Sequence, residues 1–506
     1  MSVREIRDMA VVGAGVMGAG IAQIAALAGL TVYLFDAREG AAESARQGLV
    51  ATFDKLVAKG KFDSATAQAA AARLRPVNNI AELADCQLVV EAIVERLDAK
   101  RALFAELESV VADDCILATN TSSLSVTAIA AGCRLPGRVG GFHFFNPVPL
   151  MKIVEVIDGL QGEAWVGETL LALGERFGHV AVRAKDTPGF IVNHGGRGYG
   201  TEAMRILGES ITDEAGLDRI LREQAGFRMG PCELFDLTGL DVSHPVTESI
   251  YAQYYQEPRY RPSVITRQRL EAGLLGRKSG QGFYCYVDGV QQVPEEPAVP
   301  VVANLPPVWV SHVRPAYRAN VVALLENLGA TVELGLRPSD EALCLVLPLG
   351  GDATSSAKAE GLDPLRTLAL DILLPLDRRR VLMTTPVTGP GWRDAAHALL
   401  AADGVPASLI HDSAGFVSQR VFAQIINIAC DMAQQRVATP GDIDRAIRLG
   451  LGYPQGPLSW GDALGAETIL QVLDNLHTFY RDPRYRPSPW LIRRAMLGLS
   501  LLTPDN

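Results

Sequence analysis

The sequence predicts an α/β domain with a parallel sheet, then an all-α domain, then a shortened repeat of both. Three observations carry this. Apolar strands and helical stretches alternate over the first 160 residues; long helical periods take over after Asp186; and several motifs recur about 226 positions downstream. At 506 residues the chain exceeds what one core organises, so three or four units are expected.

The elements follow in order. Residues 9–13 read as a strand, 18–28 as a helix and 31–36 as a second strand. Residues 86–92, 115–119, 139–144 and 153–157 read as short buried strands. From Asp186 to about Gly282 the pattern is mostly helical, and 293–302 (VPEEPAVPVV), rich in proline and acid, reads as an extended linker. KDTPGF (185–190) then recurs as HDSAGF (411–416), 226 positions later. GPCELFDLTG (230–239) recurs as GPLSWGDALG (456–465) at the same offset, and EPRYRP (257–262) as DPRYRP (482–487), one residue out of step. Matches in one order at a near-constant offset mean that the helical domain occurs twice. Between linker and second copy, 308–311, 331–334, 343–347 and 381–384 look like strands, without a glycine fingerprint. The expected division is 1–184 and 304–408 for the α/β domain and its degenerate copy, 185–290 and 409–506 for the helical domains, and 291–303 for the linker.

Composition is ordinary, with 48% hydrophobic and 21% charged residues. Acids outnumber bases by 57 to 47 and no polybasic run offsets them, which argues against nucleic acid or an anionic membrane as partner. No apolar stretch approaches the ~20 residues that span a bilayer. The charge-mixed start (Arg4, Glu5, Arg7, Asp8) resembles neither a signal nor a transit peptide. Seven scattered cysteines form no C-x-x-C pair, so neither a disulfide framework nor a metal site is expected. A cytoplasmic protein with reduced thiols is the expectation.

Gly13-Ala14-Gly15-Val16-Met17-Gly18 fits G-x-G-x-x-G, follows an apolar strand and opens a helix. The first glycine permits a tight turn, the second lets a pyrophosphate approach the backbone, and the third allows close helix–strand packing. The helix N-terminus adds free N–H groups. Asp36, 18 residues beyond Gly18, ends the second strand, where a carboxylate accepts ribose hydroxyls and repels a 2′-phosphate. This is a Rossmann-type site for NAD rather than NADP, a preference that Arg38 weakens slightly. FAD uses the same fingerprint, but the catalytic segments favour a nicotinamide.

His143 falls at the C-terminal end of a predicted strand, the edge where open α/β sheets bind ligands. Glu155 comes 12 residues later on what should be the neighbouring strand, after an Asn-Pro-Val-Pro turn. Imidazole provides a base near neutrality, and a carboxylate on its other nitrogen fixes the tautomer. Residues 90–100 (VEAIVERLDAK), 120–124 (NTSSL), 141–156 (GFHFFNPVPLMKIVEV) and 186–193 (DTPGFIVN) make the reading specific. Together with the glycine fingerprint they resemble the 3-hydroxyacyl-CoA dehydrogenase family, from Val11 to about Tyr286 and again in the second helical copy.

The resemblance implies NAD-dependent oxidation of an (S)-3-hydroxyacyl-CoA, with His143 as base and Glu155 as its partner. It implies that Ser122 and Asn193 hold the reacting oxygen, and that Glu95, Lys100, Ser122, Asn146 and Lys278 contact the cofactor. Ser122 could also cap a helix from Leu124. Lys55, Lys59 and Lys61 are candidates for the CoA phosphates, or simply an exposed face; Gly60 stands where some relatives carry a CoA-contacting lysine. In length the chain is most similar to the duplicated dehydrogenases of phenylacetate catabolism, which act on 3-hydroxyadipyl-CoA. It is also similar to 3-hydroxybutyryl-CoA dehydrogenases of that length. A non-catalytic, crystallin-like dinucleotide-binding protein is the alternative from another class, against which the retained site residues speak. A hydroxyisobutyrate-type dehydrogenase would lack HFFNP, and no hydratase-like segment is evident.

One departure stands out, His194-Gly195-Gly196-Arg197-Gly198-Tyr199-Gly200. It suggests either very close backbone packing or space beside the substrate, in which Arg197 would meet a terminal carboxylate of the acyl group. The second half lacks counterparts of His143 and Glu155, and Gln419 replaces Asn193, so one active site per chain is expected. Helical domains of this family pair face to face, so a tandem copy would mimic a dimer partner, and the oligomeric state stays open.

Overall fold

In a computed structural model that describes residues 3–505, the chain forms two compact units, each built from non-contiguous segments. Residues 1, 2 and 506, which the expected division includes, lie outside the described residues. No helix of the described chain is long and apolar enough to cross a membrane.

The first unit comprises the chain up to His194 together with Met432–Gly452 and the residues from Pro504. Its strands are β1 (Asp8–Val12), β2 (Thr31–Phe35), β3 (Leu74–Pro76), β4 (Leu88–Glu91), β5 (Ile116–Thr119), β6 (Val139–Phe144), β7 (Ile153–Asp158) and β8 (Val180–Lys185). They form one sheet in the order β3-β2-β1-β4-β5-β6-β7-β8, parallel except for β6 against β7. The strands β4, β5 and β6 are buried throughout, as continuous apolar runs should be where helices cover both faces. Strand order reverses beside β1, so the edge at the strand C-termini opens there, where such sheets take ligands. β3 was not expected, because a three-residue strand ending in proline shows no period. β8 is the sheet edge. Its Lys185 N–H donates to Val437 O at 2.8 Å, and the helix Pro440–Leu451 packs across β7 and β8.

The second unit comprises Gly195–Asp431 and Tyr453–Thr503. Helices Arg197–Gly208, Pro231–Thr238, Leu240–Gln253 and Val264–Glu271 lead to a hairpin of β9 (Cys285–Val287) and β10 (Val290–Gln292). The linker follows without regular structure. A six-stranded sheet comes next, from β11 (Val308–Val310), β12 (Val332–Glu333), β13 (Leu343–Val346), β14 (Thr367–Leu370), β15 (Arg380–Thr384) and β16 (Ala407–Ile410). Its order is β12-β11-β13-β14-β15-β16, with β14 and β15 antiparallel. This is the first sheet with two strands missing. The repeated motifs fold alike: Gly230 and Gly456 each begin a helix with proline at its first position, and Gly239 and Gly465 end it with φ of 83° and 89°.

A Cβ on Gly198 would come within 3.2 Å of the backbone N and Cα of Ile425, so the two copies' first helices touch backbone to backbone there. Arg420 crosses the same seam, fully buried, with Nε on Glu202 at 2.7 Å and Nη1 on Glu209 at 2.6 Å. Close packing therefore accounts for Gly198. Arg197 is half-buried in this unit and donates from Nη1 to Thr247 Oγ1 at 2.6 Å; burial lowers its pKa to about 10.

Candidate active site

The register of β6 and β7 places His143 directly opposite Glu155. The imidazole Nδ1 lies 2.6 Å from Glu155 Oε2, and both side chains are buried. The other carboxylate oxygen accepts the backbone N–H groups of Ile191 (2.9 Å) and Val192 (2.8 Å). A carboxylate satisfied by three donors cannot turn away. It therefore holds the proton on Nδ1 and leaves the Nε2 lone pair as the basic site. The rings of Phe145 and Phe190 flank the imidazole at 4.4 and 5.7 Å between centroids.

Asn193 follows Val192, so the segment that grips Glu155 also sets this amide. Its Nδ2 donates to Ser122 O at 3.4 Å, bringing two of the expected residues together. Ser122 does not cap the next helix. Ser125 does, accepting Ala128 N–H, and Asp186 takes Val126 N–H, Thr127 N–H and the Ser125 hydroxyl. Ser122 is instead held by Glu95, whose Oε1 accepts Ser122 N–H at 2.8 Å, Ser123 N–H at 3.0 Å and the Thr121 hydroxyl at 2.6 Å. Burial alone would raise the Glu95 pKa, but Lys100 and these donors bring it below the ordinary value.

Lys100, expected at the cofactor, lies beneath Glu95 on the inner side of the strand edge. Its side chain is 1% exposed, and the ammonium sits 2.5 Å from Glu91 and 3.2 Å from Glu95. Lys100 braces the strand edge from inside. Glu91, which the sequence reading missed, is the buried centre of that brace. It also accepts the Thr119 hydroxyl at 2.7 Å and Ile93 N–H at 2.7 Å. The available signal was a carboxylate ending an apolar strand (LVVE) with a lysine nine residues on.

The glycine fingerprint shows how well the residues fit a dinucleotide. Gly13 has φ 103°, and a Cβ there would meet Ala92 O at 2.5 Å; one on Gly18 would meet Gly13 O at 1.8 Å. Both glycines are demanded by the fold. Gly15 is not, because nothing stands within 4 Å of its Cβ position, and it begins a helix without supplying a side-chain cap. Bare backbone with open space at a helix N-terminus is what a pyrophosphate requires. Met17 lies in the first turn of the helix that Val16 opens, and Val16 is exposed. At the end of β2, Asp36 Oδ2 accepts Ala14 N–H at 2.8 Å, and Oδ1 takes Arg38 Nε at 3.0 Å. Hydrogen bonding by the Arg38 side chain, with backbone donors, holds the Asp36 carboxyl down to about 2.

The remaining residues are placed as follows. Asn146 is exposed just beyond β6, before a cis peptide bond to Pro147. Lys55, Lys59 and Lys61 are exposed at and beyond the end of the helix Ala41–Ala58. Lys278 belongs to the second unit, where it pairs with Asp241.

The second sheet carries a filled version of the same edge. At the repeat offset Glu155 corresponds to Val381. The residue across from it, donating its N–H to Val381 O at 3.0 Å, is Asp371. Asp371 is buried and accepts Nε2 of Gln419 (2.8 Å) and of Gln224 (3.2 Å), while Gln419 Oε1 accepts Gly350 N–H at 2.7 Å. Two glutamine amides and a backbone N–H thus fill the surroundings of Asp371.

The family of the 3-hydroxyacyl-CoA dehydrogenase NAD binding domain matches residues 8–187. That of the 3-hydroxyacyl-CoA dehydrogenase C-terminal domain matches 189–286 and 415–499. The 3-hydroxyadipyl-CoA dehydrogenase of Escherichia coli (strain K12) is 38% identical over 499 residues, covering 97% of this chain and 98% of the relative. A probable 3-hydroxybutyryl-CoA dehydrogenase of Bacillus subtilis (strain 168) is 37% identical over 56% of this chain and 98% of its own length. Among solved structures, a 3-hydroxybutyryl-CoA dehydrogenase from Escherichia coli K12 superposes with a TM-score of 0.85 at 37% identity, covering 98% of this chain and 99% of that one. The chain belongs to the 3-hydroxyacyl-CoA dehydrogenase family of NAD-binding oxidoreductases.

Proposed function

We propose that the chain oxidises (S)-3-hydroxyadipyl-CoA to the 3-oxo thioester at one site per chain, with His143 as general base. The observation that carries the mechanism is the buried His143–Glu155 pair at the ligand-binding edge of the sheet. The backbone of residues 13–18 and the Asp36 carboxylate would hold NAD, which when bound would supply the hydride acceptor. His143 Nε2 takes the hydroxyl proton as the carbonyl forms, and Glu155 stabilises the resulting imidazolium through Nδ1. Asn193 and Ser122 steady the developing charge on the C3 oxygen. Glu95, braced by Lys100 and Glu91, keeps the Ser122 loop in place.

The dicarboxylic substrate is supported by a relative of that activity, which matches this chain over nearly its whole duplicated length. The second reading, a four-carbon substrate, is favoured by the name of the full-length structural match. Steady-state NADH formation on matched 3-hydroxyadipyl-CoA and 3-hydroxybutyryl-CoA decides between them. The dicarboxylic reading predicts a kcat/KM at least tenfold higher for the former, and equal or reversed values would refute it.

A further inference from the structure

The helix Pro440–Leu451 lies in the repeat that lacks the catalytic pair, yet it belongs to the compact unit that contains the pair. It packs across β7 and β8 with Ile443, Ala446 and Ile447 buried. Near its C-terminal end, Gly450 faces Val192. A Cβ on Gly450 would lie 2.7 Å from both Cγ atoms of Val192 and 3.3 Å from its Cβ. Valine is branched at Cβ and stiff at χ1, so no rotamer removes both methyls; the residue would have to move as a body. Val192 opens the short helix Val192–Gly195, and its N–H is one of the two that fix Glu155 Oε1. The other oxygen of that carboxylate holds the imidazole. A line of contact therefore runs from Gly450 through Val192 and Glu155 to His143.

We propose that Gly450 is a positioning residue for the catalytic pair. Its bare backbone lets a helix of the second repeat seat Val192 at the depth where the N–H meets Glu155. This gives the non-catalytic half a part in the reaction, as a fixed wall behind the carboxylate. The inference rests on His143 and Glu155 acting as assigned above. The same helix carries its own control: a Cβ on Gly441 has nothing within 4 Å.

The test uses the full-length chain and five variants: Gly450→Ala, Gly450→Val, Gly441→Ala, Glu155→Gln, and Gly450→Ala combined with Val192→Ala. Displacing a catalytic group by about an ångström costs up to ~100-fold, so Gly450→Ala should lower kcat about tenfold and Gly450→Val about 100-fold. KM for NAD should stay within about twofold. The acid limb of the pH profile of kcat/KM should move to lower pH, in the direction Glu155→Gln gives, because a displaced carboxylate stabilises the imidazolium less. Val192→Ala removes the clashing methyls and keeps the N–H, so the double variant should recover most of the activity, and Gly441→Ala should match wild type. If Gly450→Val does not fold, Gly450→Ala and its rescue decide the matter. Two results overturn the proposal: wild-type kinetics in Gly450→Ala, or lost activity with an unmoved pH profile and no rescue. If Glu155→Gln itself changed nothing, the assignment of the pair would fall, and the proposal with it.

Discussion

Replacing Glu155 with glutamine preserves volume but removes one acceptor from a fully buried site. The amide has two ways to sit. With its oxygen on the N–H groups of Ile191 and Val192, its NH₂ faces His143 Nδ1. The imidazole must then accept at Nδ1 and carry its proton on Nε2, which leaves it unable to take a proton from the alcohol. With the amide reversed, the productive tautomer survives, but two backbone donors lose their acceptor at about 1–3 kcal/mol each. The inactive arrangement is thus favoured by about 2–6 kcal/mol, which at 1.36 kcal/mol per tenfold lowers kcat by roughly 30- to 10⁴-fold. Stopped-flow measurement of NADH appearance with saturating NAD reads this directly, and the Kd for NAD should not change. A variant within threefold of wild type would refute the tautomer argument.

Four further outcomes follow from the same geometry. Gly15→Val should leave thermal stability near wild type and weaken NAD binding at least tenfold, whereas Gly18→Ala should lower the melting temperature; calorimetry and titration separate the two. Lys100→Met strands the buried Glu91 carboxylate and should cost about 3–5 kcal/mol, read from urea unfolding monitored by loss of NAD binding. Asp36 is held down to about 2, so its charge is intact above the ordinary aspartate value of 3.8 and is lost only as pH falls through the lowered one. Asp36→Ser should therefore raise the NADP-to-NAD ratio of kcat/KM at neutral pH, and an unchanged ratio would count against its role. Calorimetric titration should give one NAD per chain, and Asp371→Asn should leave kcat within about twofold; a second equivalent of NAD would contradict the filled edge.

The sequence reading reached most of the first sheet, because β1, β2 and β4 to β7 are apolar runs bounded by turns. The His143–Glu155 pair was legible because β6 and β7 are consecutive strands joined by residues 145–152, so a 12-residue spacing becomes a cross-strand neighbour. Among the strands that escaped, β3 has three residues, β14 and β16 have four each, and β8 is the charged edge of its sheet. Nothing local in the sequence says that the Lys100 ammonium turns inward to Glu91. The grouping of Met432–Gly452 with the first sheet could not be read at all. It depends on Val437 meeting Lys185 and Gly450 meeting Val192, contacts that span some 250 residues.

On the proposed mechanism the imidazole at position 143 removes the alcohol proton as hydride leaves C3. Single-turnover oxidation of a 3-hydroxyacyl-CoA by His143→Gln, with NAD binding checked separately, tests it most directly. NAD affinity should be unchanged, and hydride transfer should slow by about 10²–10⁴-fold across the neutral range. Transfer at the wild-type rate would contradict it.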